Sequence, residues 1–165
     1  GYTRIDFTAN ISDLESVDTR AVDPDGLDLN NMTLFCFNEY GLYISSEVAH
    51  LDTHTVDSGT FSAIIPNHTH IIHFLANHSE GLYDDSNFPG QTESMVIANM
   101  EGGSGMLVYW SRFEKDATSE KSISEQIADL SYQINGNTVN GVKLIRNQAK
   151  VTIDPWETAE CIVTG

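Results

Sequence analysis

Basic residues are scarce in this chain: eight lysines and arginines stand against 24 aspartates and glutamates, for a formal net charge of −16. A surface so charged repels a phosphate backbone and an anionic lipid surface alike, which argues against nucleic acid and membrane-surface partners. Long apolar runs are lacking too. None approaches the roughly 18 residues of a membrane-spanning helix, and no basic start followed by an apolar stretch marks a signal peptide. Cysteine is nearly absent. Cys36 and Cys161 stand far apart with no CxxC spacing, so two buried thiols are the preferred reading over a single long-range disulfide. A chain of this length can bury the core of one domain without disulfide or metal. Gly1, in place of an initiator Met, is read as a trimmed start.

Motifs that carry chemistry are also missing. There is no GxSxG, no phosphate loop, no HExxH and no cysteine in a His-rich context. Carboxylates lie everywhere in so acidic a chain and therefore identify nothing. In "HTHIIH", His68 and His70 are expected on one face of a strand and His73 on the other, so two at most reach one ion, short of a zinc set. "AVDPDGLDLNNM" places Asp23, Asp25 and Gly26 at the third, fifth and sixth positions of an EF-hand loop. Ala21 and Met32 then fall at the first and twelfth, where the strongest ligands belong. An acidic solvated loop is the simpler reading, and neither metal nor cofactor is expected. Asn-x-Ser/Thr triplets begin at Asn10, Asn31, Asn67 and Asn77, and matter only on a eukaryotic secretory route.

What the chain does have is alternation. In "YTRIDFTANI" and the following residue, Thr3, Ile5, Phe7, Ala9 and Ile11 point one way and Arg4, Asp6, Thr8 and Asn10 the other, a strand with one buried face. A polar stretch with Pro24, Gly26 and Asn30-Asn31 follows as a loop. "MTLFCFNEYGLYISS" reads as a hairpin about residues 38–41, and residues 59–65 and 69–76 as two more strands around Pro66-Asn67. A short helix over 91–99 is expected, then a strand in "MLVYWSRF". Ser122 and Glu125 fit a capping box opening a two-turn helix, although Leu130, Tyr132 and Ile134 also alternate as a strand would. Asn135-Gly136 and Asn140-Gly141 are turn signals. About seven strands with short connections predict an all-β sandwich.

"GVKLIRNQAKVTI" gathers Lys143, Arg146 and Lys150 among aliphatic residues. Val142 and Leu144 share one phase, whereas Ala149, Val151 and Ile153 share the other, so a slip of one residue around 146–148, a β-bulge, would bring both sets to one face. The three charges are expected to neutralise nearby carboxylates at a kinked strand, with Arg146 making a bidentate contact.

Several segments taken together resemble the N-terminal domain of the fimbrillin A-like subunits, the type V pilins of Bacteroidales: the first strand, "TRAVD", "MTLFCFNEYGLY", "GTFSAIIPNHTHIIHFLAN" and above all "VKLIRNQAKVTI". In the last, Leu144, Arg146, Ala149 and Lys150 match the family's pattern. The resemblance implies a transthyretin-like, Greek-key sandwich of about seven strands spanning 1–165, with a second sandwich to follow beyond Gly165. It also implies a lipoprotein precursor exported through the periplasm to the outer membrane, and a surface protease that cuts after an arginine following the first strand. Arg20, in the acidic loop after that strand, is the candidate cleavage residue. Ile5, Phe7, Ala9 and Ile11 would leave the groove that a neighbouring subunit's strand then fills. The implied function is structural and adhesive, with other fimbrial subunits and a host protein or glycan receptor as partners, and no catalysis. Two other readings stand beside it: a monomeric glycan-binding sandwich using Tyr109, Trp110 or Trp156, and a small hydrolase without a recognisable motif.

Overall fold

The computed structural model describes residues 1–11, 29, 31–55, 57–76, 85–101 and 109–146. The chain runs β1 (Tyr2–Ile11), β2 (Met32–Phe37), β3 (Tyr43–Val48), β4 (His50–His54), β5 (Ser58–Pro66), β6 (Ile71–Ala76), a 3-10 turn (Asp85–Asn87) and α1 (Glu93–Glu101). It continues through β7 (Tyr109–Glu114), α2 (Ile123–Ala128), β8 (Ser131–Ile134), β9 (Asn137–Asn140) and β10 (Val142–Arg146). Eight strands form one strongly folded-over sheet in the order β3-β2-β6-β7-β10-β1-β5-β4, and β8 and β9 form a separate hairpin.

The sheet doubles over at β10. Val142, Lys143 and Leu144 pair in parallel with Ala9, Asn10 and Ile11, and Ile145 and Arg146 then pair with Trp110 and Tyr109. One short strand thus belongs to both layers of a sandwich-like, all-β fold. At the opposite side, β3 and β4 are separated by Ala49 alone, whose N–H donates to the Met32 carbonyl at 2.9 Å. The chain therefore passes directly from the edge of one layer to the edge of the other.

Periodicity explains the layers. In β1, residues 5, 7, 9 and 11 are buried and meet Leu34, Cys36, Ile72, Phe74, Phe61 and Ile65 in the main core. Every residue of β2 and β6 is buried, because these strands have a second apolar face outside the sandwich. There Phe35, Phe37, Ile71 and Leu75 pack with Tyr43, Phe88 and Val96. Helix α1 and the segment before it cover that face. The same segment guards the start of edge strand β3: Tyr43 donates to Gln91 at 2.9 Å and receives from Gly90 at 3.2 Å, contacts that leave less free edge for another chain.

Two local expectations appear in atomic detail. Ser122 accepts from the Glu125 N–H while Glu125 reaches back to the Ser122 N–H, a complete capping box. The β8–β9 turn has Asn135 at φ 52° and Gly136 at φ 81°, the left-handed pair of a type I′ hairpin. The strand count exceeds the expected seven for physical reasons. β4, "HLDTH", is an edge strand exposed at four of its five positions, so it carries no hydrophobic alternation to read. At 122–134 the helix and the strand both form, one after the other. Strand β6 starts at Ile71 rather than at 69, which leaves His68 and His70 before it instead of on one of its faces.

Replacing Ser122 by Ala removes the cap and should lower stability by about 1 kcal/mol. Urea unfolding should show a lower midpoint with an unchanged slope.

Candidate functional site

Strand β1 occupies the interior of the sheet although it begins the chain. It pairs antiparallel with β5 over nine consecutive residues, from Tyr2 opposite Pro66 to Asn10 opposite Ser58, and its last three residues pair with β10. Helix α2 closes the space beside its first half, contributing Ile123 and Ile127 to the same core. Removing β1 would therefore leave a slot walled by β5 on one side and by β10 and α2 on the other.

The floor of that slot is apolar. Ile5 and Ala9 are fully enclosed and Phe7 and Ile11 nearly so. The Phe7 ring stacks on Phe61 at 5.5 Å and meets Phe74 edge-on at 5.0 Å. Burial of Ile5, Phe7 and Ile11 stabilises the seat by about 1.5–3 kcal/mol each. Polar contacts fix the register at both ends. Asn67 donates to the Gly1 carbonyl at 3.0 Å and Ile11 to the Asp57 carbonyl at 2.8 Å. Asn10 gives an amide hydrogen bond to Asn140 at 3.0 Å and accepts one from Ser58 at 2.8 Å. Gly141 lets β10 come close: its φ is +121°, and a Cβ there would lie 2.5 Å from the Thr8 carbonyl oxygen. By contrast, Arg4 and Asp6 pair at 3.0 Å on the exposed face, each about two-thirds accessible, where solvent screens the attraction.

The basic segment is a joint of the fold at Val142 and Leu144, both buried in the main core. Lys143 is exposed and its ammonium lies 5.7 Å from the centre of the Tyr132 ring, an aromatic contact. The backbone of Arg146 ends β10 opposite Tyr109. Lys150, the bulge expected at 146–148, Arg20, the acidic loop with Asp23 and Asp25, Cys161 and Trp156 lie wholly or partly outside the described residues. Cys36 is buried, its thiol pushed up to about 12 by desolvation, which keeps it protonated and unreactive.

A polar network escaped the reading of the sequence. His73 is 97% shielded on the outer face of β6 (relative exposure 3%). Its Nδ1 accepts from the Trp110 indole N–H at 2.8 Å, and its Nε2 meets Glu93 Oε2 at 2.5 Å. Arg112 grips the same carboxylate with Nε at 2.5 Å and Nη2 at 3.2 Å, and reaches Glu114 at 3.1 Å. Arg112 thus makes a bidentate carboxylate contact; the contact expected of Arg146 lies outside the described side chains. The network bolts the first turn of α1 to β6 and β7. Burial holds the His73 imidazole below its ordinary value despite Glu93, and Arg112, with His73 after it, holds the Glu93 carboxyl below its own. The signal lay in "YWSRFE", whose alternation puts Trp110, Arg112 and Glu114 on one face of β7, with His73 opposite Arg112 in register.

Among the described residues no three His, Cys, Asp or Glu side chains gather as a metal site, and no helix is long and apolar enough to cross a membrane. An open groove of about 500 Å³ at the Thr3 end of β1 is lined by His68, His70, Lys115 and Ser122. No family model, curated protein or solved structure matches the chain.

Phe7→Ala should destabilise the fold by about 3–5 kcal/mol, and Gly141→Ala by at least about 1 kcal/mol through backbone strain and collision. Arg4→Ala should leave the urea midpoint essentially unchanged. Comparing the three unfolding curves tests whether β1 is held by its buried face and its close approach to β10.

Proposed function

We propose that the protein is a structural or accessory subunit of a cell-surface fimbria. In this reading the subunit assembles by proteolytic loss of its first strand and replacement of that strand by one from a neighbouring subunit, and the polymer serves adhesion. The observation that carries the reading is the position of β1: the strand that precedes Arg20 lies inside the sheet, held by backbone hydrogen bonds and apolar burial.

Loss of such a strand exposes unpaired backbone on β5 and β10 together with the apolar floor beneath Ile5, Phe7, Ala9 and Ile11. A groove of that kind favours an incoming extended segment, by strand addition. Arg20, in the polar, acidic sequence beyond Ile11, is the residue at which a cut would free the strand, since sequences rich in Pro, Gly and Asp favour the exposed loops that proteases attack. Arg4 is less suited because it lies within the β1–β5 ladder, opposite Ile64. Export as a lipoprotein to the outer membrane, a transthyretin-like Greek-key topology and a following second sandwich belong to the same reading and rest on the resemblance of "VKLIRNQAKVTI" and its companion segments. Partners would be other fimbrial subunits and a host protein or glycan receptor.

An arginine-specific protease acting on the native protein should cut once, after Arg20, and the monomer should give way to oligomers in size-exclusion chromatography. A labelled peptide with the sequence of residues 2–11 should bind the cut protein and not the intact one. Resistance of the loop, or a cut protein that neither assembles nor takes up the peptide, would overturn the reading.

A further inference from the structure

The network beneath α1 has a feature that its structural role does not require. Trp110 donates its only polar hydrogen to Nδ1 of His73, so Nδ1 is the unprotonated nitrogen and the proton resides on Nε2, directed at Glu93. Nδ1 is therefore the one position at which His73 can accept a second proton. An imidazolium at that place would set its own N–H against the indole N–H, donor against donor. We propose that His73 and Trp110 form an acid-released latch: protonation of His73 at Nδ1 expels the Trp110 indole from its hydrogen bond and loosens α1 from the outer face of the sheet.

The surroundings favour that outcome over a silent protonation. Among the described residues, the charged groups facing His73 are Glu93 from α1 and Arg112 from β7, with Glu114 and His70 beyond Arg112. From β2 comes the Phe37 ring at 5.5 Å, with Tyr43 of β3 against it at 5.7 Å. Glu93 attracts the imidazolium, but Arg112 already occupies both of its oxygens, and among the described residues the rings of Phe37 and Trp110 beside the imidazole offer Nδ1 no substitute acceptor. The Trp110 ring lies tilted 33° to His73 at 5.8 Å and is only partly covered, so it can turn outward. Beneath it is the aromatic layer of Phe35, Phe37, Tyr43 and Phe88, which α1 covers at neutral pH.

The direction with pH follows from burial, which disfavours the charged imidazole and lowers its folded-state value. Above the ordinary histidine value of about 6.5 the latch is fully closed. As the pH falls below that value an unfolded chain takes up the proton more readily than the folded one, so the latch's contribution to stability declines until the folded pKa is passed. Glu93, held low by Arg112, remains an anion through this window.

The test uses the whole protein carrying Trp156→Phe, so that Trp110 is the one remaining tryptophan. Between pH 7.5 and 5 its emission should shift to the red reversibly, with a midpoint below 6.5, while the far-ultraviolet circular dichroism persists. Amides of residues 93–101 should exchange faster in the acid form. In Trp110→Phe, which has no N–H to oppose the proton, the His73 pKa read by NMR should rise by about one unit, a roughly tenfold gain in proton affinity. An Nδ1–H tautomer at pH 7.5, an unchanged His73 pKa in Trp110→Phe, or a tryptophan signal that is flat to pH 5 would each overturn the latch.

Discussion

The fold depends on a strand pairing that joins the start of the described chain to its far end. β1 meets β5 along nearly its whole length and β10 along its last three residues, so one ladder connects the two layers and aligns the apolar rows that make the main core. Without it, β5 and β4 would have no link to β10, and the sandwich would part along its seam. The hydrogen bonds of Asn10 and the absent side chain of Gly141 are best understood as fittings of that seam: they let β10 lie against Thr8–Ile11 with no intervening atoms.

A second, smaller assembly sits outside this sandwich. β2 and β6 are apolar on both faces, an arrangement that obliges the chain to supply a cover. That cover is α1 with Phe88 and Val96, and its attachment is polar as well as apolar. Glu93 is the hinge point of the charges, sharing its carboxylate between a neutral imidazole and a guanidinium. Only His73 is buried in this arrangement, with Glu93 and Arg112 partly open to solvent, so screening limits what the ion pair adds to stability. Its contribution is direction, since Glu93 at the start of α1 is held at once by His73 of β6 and Arg112 of β7.

Much of the sandwich was legible in the sequence because its strands obey period-two alternation. Ile5, Phe7, Ala9 and Ile11 announce a buried face before any partner is known, and Ser122 with Glu125 announces a helix start. Other parts were silent for specific reasons. The polar edge strand at His50–His54 buries no face and therefore has no pattern. The two-faced apolar strands at Met32–Phe37 and Ile71–Ala76 look alike from within and do not say what covers their outer side. For the basic segment, the alternation of Val142 and Leu144 correctly marked the strand, but the contact of Lys143 with the Tyr132 ring is brought about by a hairpin, which no local spacing encodes. The His73 network was hidden because its members come from three separate segments, and only the β6–β7 register brings His73 opposite Arg112.

Chain order adds a consequence for folding. Hairpins β2–β3, β4–β5 and β8–β9 close over short distances and can form as soon as their residues are available, whereas the pairing of Ala9 with Val142 must close a loop that spans most of the chain. Strand β1 is accordingly among the last to complete its contacts. It can pair with β5 once residue 66 is available, whereas its edge at Ala9–Ile11 stays open until β10 is formed. The seam between the two layers is thus the last part of the sheet to close, and it closes through one short strand that pairs with β1 on one side and β7 on the other.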